Sequence, residues 1–228
     1  MTCRIRTNLP CDHTTVDGPY AKYVLGVLVV MAIFNFIDRQ ILAILAEEIK
    51  ADLGLSDGDL GFLYGTAFAV FYAVFGIPMG RLADSWVRTK QISLSVGFWS
   101  MMTALSGLAR GFLPLALCRF GVGMGEAGAT PAAHSMLYDY FSPKVRTTVI
   151  GIYSAGAAIG GGIGLFLGGA ILGAWNNAWP DPSLAPFGLK GWQVAFMVVG
   201  LPGLFLSLLI WTLKEPLRGQ AEGLAKAV

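Results

Sequence analysis

Residues 60–108 read LGFLYGTAFAVFYAVFGIPMGRLADSWVRTKQISLSVGFWSMMTALSGL. An apolar run from Leu60 to about Gly80 meets a charged stretch, Gly80 to Lys90, and a second apolar run follows from Ile92 to about Leu108. Hydrocarbon about 30 Å thick is crossed by roughly 20 mostly apolar residues in a helix rising about 1.5 Å per residue. Both runs approach that length, and the stretch between them carries Arg81, Asp84, Arg88 and Lys90. The pattern predicts two membrane-spanning helices joined by a charged loop.

Working outward, four more spans follow the same rule. The first runs from Tyr23 to Leu45, interrupted only by Asp38 and Arg39, and Ala46 to Asp57 is a polar connection. A turn at Arg110–Pro114 leads into a fourth span ending near Tyr138, and Ser142–Arg146 is a basic loop. A glycine-rich fifth span covers Val149 to about Trp175, and a sixth covers Val194 to Leu213. Pro78, Pro131 and Pro202 fall within or near span ends, where membrane helices tolerate them if neighbours satisfy the freed carbonyl. The expected fold class is an all-α membrane protein of six transmembrane helices.

Composition agrees. Soluble globular proteins are about half apolar and a quarter charged. This chain is 55% apolar and only 13% charged, with mean hydropathy +0.63. A net charge of +2 implies neither nucleic acid nor an acidic partner. Cys3, Cys11 and Cys118 lack metal-ligand or disulfide spacing and read as reduced and structural. The residues through Pro19 lack the apolar core of a signal peptide. With the N-terminus inside, the inner segments carry Arg4, Arg6, Lys22, Arg81, Arg88, Lys90, Lys144, Arg146, Lys214, Arg218 and Lys226. The outer ones carry only Lys50, Arg110 and Lys190. That asymmetry places the N-terminus in the cytoplasm, and Trp175, Trp179 and Trp192 bracket the last outer connection as interfacial aromatics. The expected organisation is a cytoplasmic tail (1–20), a six-helix bundle (21–215) and the start of a cytoplasmic linker or a truncated C-terminus (216–228).

Within the loop, Gly80, Leu82, Asp84 and Arg88 match the loop 2–3 signature of the major facilitator superfamily, which this chain resembles. Ser85 stands where a basic residue is usual, and Val87 replaces the second glycine. The resemblance implies a conformational latch, in which Asp84 meets the N-terminal dipole of a helix in another half of the protein. It also implies that a carboxylate at the inner end of the fourth span, here Asp139, joins the charge network of Arg88.

The fourth span contains Arg119-Phe-Gly-Val-Gly-Met-Gly-Glu126-Ala-Gly128. Its Gly123-x-Gly125-x-x-Gly128 mimics a dinucleotide fingerprint, but that motif needs a strand before it and a βαβ unit around it. Gly121 and Gly125 instead suit close helix contacts. Arg119 and Glu126, seven residues apart, share one helix face. Asp38 and Arg39 lie at similar depth, and ionisable groups inside a membrane are functional by default. A structural ion-pair cluster is the alternative. The expectation is an Asp38–Arg119 pair, with Glu126 binding and releasing a proton. Arg119 followed by glycines also matches a superfamily motif whose buried arginine takes part in proton coupling.

Asn35-Phe36-Ile-Asp38-Arg39 and Gly125-Glu126-Ala127 resemble the spinster-like branch of that superfamily. The branch implies export of lysolipid- or sphingolipid-like amphiphiles and, in bacteria, proton-linked transport. Anion:cation symporters share the Asp-Arg pair, which keeps an organic-anion substrate open. Gly156, Gly160, Gly164 and Gly168 recur at four-residue spacing, with Gly161 and Gly169 alongside, and this glycine stripe is read first as a packing surface. Gly156-Ala157-x-x-Gly160-Gly161 resembles an exporter motif in which Ala157 replaces a proline. His134 reads as a satisfied polar residue or a proton relay.

Transporters of this class pair two six-helix bundles of 3+3 inverted repeats around a midplane site. The resemblance implies that this chain is the N-terminal bundle, a fragment or a half-transporter, unable to transport alone. Its expected partners are a small-molecule or lipid-like substrate, protons, the lipid bilayer of the inner membrane and a C-terminal bundle. No cofactor, metal or nucleic acid is expected. A membrane enzyme is disfavoured because His-Glu-x-x-His, Gly-x-Ser-x-Gly and paired histidines are all missing. A non-transporting assembly subunit would give no reason for acids and arginines at matched depth.

Overall fold

The structure, a computed structural model, describes residues 15–224. The readings made on Arg4, Arg6, Cys3, Cys11 and Lys226 fall outside the described residues. Pro19 at the first helical position starts α1 (Pro19–Leu53), where its fixed φ suits a helix and its missing N–H costs nothing. Gly54, at φ 65°, ends it in the left-handed conformation, and its N–H bonds the Lys50 carbonyl. Ser56 then caps α2 (Asp57–Ser85). Its Oγ accepts from the Asp59 N–H at 3.2 Å, while the Asp59 carboxylate accepts from the Ser56 N–H at 2.9 Å. Four further helices follow: α3 (Arg88–Ser106), α4 (Phe112–Tyr140), α5 (Arg146–Ala178) and α6 (Gly191–Trp211).

All six expected spans are present, but two expected loops are mostly helix. Ala46–Leu53 continues α1, so the first connection shrinks to Gly54–Ser56. Gly80–Ser85 belongs to α2 and Arg88–Lys90 to α3, leaving Trp86 and Val87 as the turn. Charged residues end the hydrocarbon-facing part of a helix, not its hydrogen-bond ladder, which water tolerates equally well. At 35 residues α1 is about 52 Å long, well beyond the roughly 30 Å of hydrocarbon. Near its start, α2 passes through a π-turn at Phe62–Thr66.

Four helices, α1, α2, α5 and α6, are long and apolar enough to cross a membrane. The other two carry the polar interior. On α3, Gln91, Ser93, Ser95, Ser100, Thr103 and Ser106 are all buried; on α4, Arg119 and Glu126 are. Packing joins α2 to α4, α4 to α3, α3 to α6 and α1 to α5, while α1 and α6 close the bundle. Large apolar side chains point away from it, including Val74, Ile77, Phe166 and Phe205. Such a surface suits lipid and would be a liability in water.

Glycine sets the closest approaches. A Cβ on Gly160 would sit 2.4 Å from the Ile33 carbonyl oxygen, and one on Gly164 would sit 3.0 Å from the Ile37 Cα. Gly156 faces Val29 and Gly168 faces Ile41 and Ile44, so the stripe seats α5 on α1 as expected. Gly161 is a correction: nothing lies within 4 Å of its would-be Cβ, so it does not pack. It stands one residue, about 100° of helix turn, off the buried face. On α4, Gly121 backs onto Met102 and Gly125 onto Trp99.

The apolar interior falls into two clusters. One, near the end where the described chain enters and leaves, centres on Leu28, Met31, Trp99, Met136 and Ile210. The other, toward the opposite end, centres on Ile41, Leu45, Leu115, Trp192 and Phe196. Of the buried charges, Asp38, Arg119 and Glu126 stand where the two meet, and Arg88 lies at the inner turn.

Candidate functional site

Successive residues on a helix point about 100° apart. Asp38 and Arg39 therefore reach different neighbours. Asp38 is 2% exposed; Thr103 of α3 donates a hydrogen bond to its Oδ2, and Arg119 Nη1 approaches its Oδ1 at 3.8 Å. Arg39 turns to α4, where its Nε donates to Glu126 Oε2 at 2.7 Å. Its guanidinium also lies among the rings of Phe36, Phe68 and Tyr72, 4.7–5.2 Å from their centroids. A planar, weakly hydrated cation is suited to such a cage.

Arg119 is held from the other side. Its Nη2 donates to Ser106 Oγ at 2.8 Å, and its guanidinium lies 4.9 Å from the Phe196 ring centroid. Two acids and two arginines thus sum to zero, which a low-dielectric site requires. Three polar atoms in the cluster are buried without hydrogen-bond partners: Asp38 Oδ1, Glu126 Oε1 and Arg119 Nε. A network left partly satisfied is costly, and functional sites are where such costs are carried.

A cavity of about 380 Å³ opens beside this cluster. Asp38, Arg39, Gln40 and Arg119 form its polar side, and Phe36, Leu42, Leu63, Tyr64 and Phe68 its apolar side. The π-turn of α2 supplies Leu63, Tyr64 and Gly65 to that wall. π-turns recur at functional sites, because one extra residue re-aims the side chains around it.

A second polar cluster lies at the inner turn. Arg88, 1% exposed, donates to Asp139, to Ser135 Oγ at 2.9 Å, to Glu215 Oε1 at 2.6 Å and to the Pro216 carbonyl at 3.1 Å. Arg88 and Asp139 thus meet as expected. Glu215 was not anticipated; it also accepts from the Thr89 N–H at 2.9 Å, capping the start of α3. Arg218 donates to the carbonyls of Ala83 and Trp86 at 2.7 and 2.8 Å, closing the end of α2. The strap after α6 thereby puts a carboxylate on a helix N-terminus and a cation on a helix C-terminus, the favourable sense for both dipoles. Asp84 stands apart. It is exposed and makes no hydrogen bond or ion pair among the described residues. Gly80 likewise faces open space.

The expected Asp38–Arg119 approach is present, but the shorter contact is Arg39–Glu126, a partnership that depth along the helices could not distinguish. Thr103, Ser106, Phe68 and Tyr72 were missed. Thr103 and Ser106 were the legible ones, as hydroxyls inside a span at the depth of Asp38. His134 does not meet its simplest expectation, because its Nε2 is buried without a hydrogen-bond partner. Among the described residues no group of acids, histidines or cysteines is arranged to hold a metal.

Residues 28–227 match the family model described as Major Facilitator Superfamily. An MFS-type efflux pump of Mycolicibacterium smegmatis is 34% identical over 87% of this chain and 43% of its own length. A probable L-galactonate transporter of Escherichia coli is 30% identical over 78% of this chain and 36% of its own. A solved bacterial homolog of the human lysosomal transporter Spinster, inward-facing and occupied, superposes with a TM-score of 0.83 at 40% identity. That match covers 91% of this chain and 47% of the other. The chain therefore spans less than half the length of these relatives.

Proposed function

Since the chain belongs to the major facilitator superfamily and is spinster-like within it, we propose that it forms one bundle of a proton-coupled transporter for an amphiphilic or organic small molecule. The observation that carries this reading is the neutral cluster of Asp38, Arg39, Arg119 and Glu126 against a half-apolar cavity at mid-bundle. Glu126 is the proton carrier. Protonating it discharges its pair with Arg39 and frees that guanidinium for an anionic group in the cavity; deprotonating it recaptures the arginine. The Glu126 carboxylate and the anionic group of the substrate thus compete for one cation. A second bundle would supply the facing wall, and Asp84, left unpaired on the inner surface, would latch onto a helix of it. Arg88 and Asp139 would hold the latch loop in position. The basic-residue asymmetry supports an N-terminus in the cytoplasm and residence in the inner membrane.

The aromatic wall of Phe36, Tyr64 and Phe68 favours an amphiphile with an acidic head. A second reading, symport of a small organic acid, is favoured by two arginines on one cavity and by relatives named for L-galactonate and hexuronate. The test is proton flux in proteoliposomes bearing the full product of the gene, driven by a lysolipid or by an aldonate. Glu126→Gln should abolish substrate-dependent proton flux while the protein stays folded. Full coupled transport by that variant would overturn the proposal.

A further inference from the structure

Glu126, Thr130 and His134 are four residues apart in turn and share one stripe of α4. The two ends of the stripe have the same peculiarity: Glu126 Oε1 and His134 Nε2 are both buried without a hydrogen-bond partner. Between them the Thr130 hydroxyl lies near Tyr153, which reaches in from α5 and is 7% exposed. The Tyr153 ring also lies 5.0 Å from the His134 ring, at 71°. Helical side chains lean toward the helix start, so His134 leans to Thr130 and Thr130 to Glu126. Each step is about 6 Å along the axis, a gap one water molecule bridges.

We propose that His134, through Tyr153 and Thr130, is the relay that carries the proton between Glu126 and the inner water. This rests on the reading of Glu126 as the proton carrier. In the release direction the Glu126 carboxyl gives its proton to the hydroxyl chain, each hydroxyl accepting one proton and passing on its own. His134 Nε2 takes the last on its lone pair, and the imidazolium sheds the proton on Nδ1 to water. What remains is a carboxylate facing Arg39 and a neutral imidazole of the other tautomer, which resets by ring or water-mediated exchange. The ionisable groups around the path are Tyr153 from α5, Tyr72 from α2, Asp38 and Arg39 from α1, and Arg119 and Glu126 of α4. Asp38, the other carboxylate, is engaged by Thr103 and Arg119.

The test follows hydrogen–deuterium exchange of the Glu126 carboxyl by infrared spectroscopy, in the intact protein in lipid nanodiscs after a switch to heavy water. The band is assigned by its loss in Glu126→Gln. His134→Phe keeps a ring against Tyr153, and Tyr153→Phe removes only the hydroxyl. Both should slow exchange at least tenfold, and imidazole added to His134→Ala should restore it. Unchanged exchange in His134→Phe and Tyr153→Phe would overturn the relay while leaving the carrier intact. A Glu126 that shows no protonated carboxyl at any pH would overturn the carrier, and the relay with it.

Discussion

Gly160→Ala adds one methyl group at the tightest point between α1 and α5. Its Cβ would fall 2.4 Å from the Ile33 carbonyl oxygen and 2.9 Å from the Ile33 Cα. Non-bonded carbon contacts settle near 3.5 Å, so the helices must part by about 1 Å. These contacts are backbone, so no rotamer change relieves them. Overpacking of this kind costs about 1–3 kcal/mol. At about 2–4 °C per kcal/mol for a chain of this size, the melting temperature should fall by about 2–12 °C. The control is the next residue. Gly161→Ala meets nothing within 4 Å and should be neutral or gain up to about 1 kcal/mol from helix propensity. Thermal unfolding of both variants in one detergent, followed by tryptophan fluorescence, measures the difference. Equal melting temperatures, or a greater loss in Gly161→Ala, would refute the account of how these helices touch.

Arg39→Ala leaves Glu126 buried without its cation and should cost about 3–5 kcal/mol; Glu126→Gln in the same chain should recover most of it, giving a coupling above about 1 kcal/mol in a double-mutant cycle of melting curves. Arg88→Ala removes the cation shared by Asp139 and Glu215, leaving each only a backbone N–H, and should expose the 214–219 strap, so limited proteolysis after Lys214 or Arg218 should quicken several-fold, and unchanged cleavage would show that the strap is held otherwise. Asp52→Asn weakens a partner shared by Lys190 and the Trp192 indole at 2.8 Å; because Lys190 is 43% exposed the ion pair is worth no more than about 1 kcal/mol, so stability should hardly move while Trp192 emission shifts.

Counting apolar residues located all six helices, because hydrocarbon thickness imposes a length that composition reveals. It misplaced their ends. Glu47, Glu48 and Lys50 look like a loop to a hydropathy window, yet they are the wet last turns of α1. The stop signal was present in Gly54, followed by Ser56 and Asp59 as a capping box. The π-turn at Phe62–Thr66 left no comparable mark. At the site, position along a helix told depth, so Asp38, Arg39, Arg119 and Glu126 were found as a group. Depth says nothing of rotation about the helix axis, and rotation decided that Arg39, rather than Arg119, holds Glu126. Gly161 failed for the same reason: four-residue spacing identifies a stripe, and a glycine beside the stripe looks identical in composition. Glu215 lay beyond the last span, where no periodicity reports on a partner more than a hundred residues back.

The strap from Lys214 to Gly219 has a mechanical consequence. Its anchors are Glu215 on the first turn of α3, Arg218 on the last turn of α2, and the Gly219 N–H on Asp139 at 2.9 Å. Any tension on the polypeptide following Gly219 is therefore shared between Asp139 of α4 and, through Arg218, the Trp86–Val87 turn next to Asp84, before it reaches the core of α6. The load path couples that turn to the outgoing chain, so a displacement downstream would pull on the segment that carries the Asp84 carboxylate.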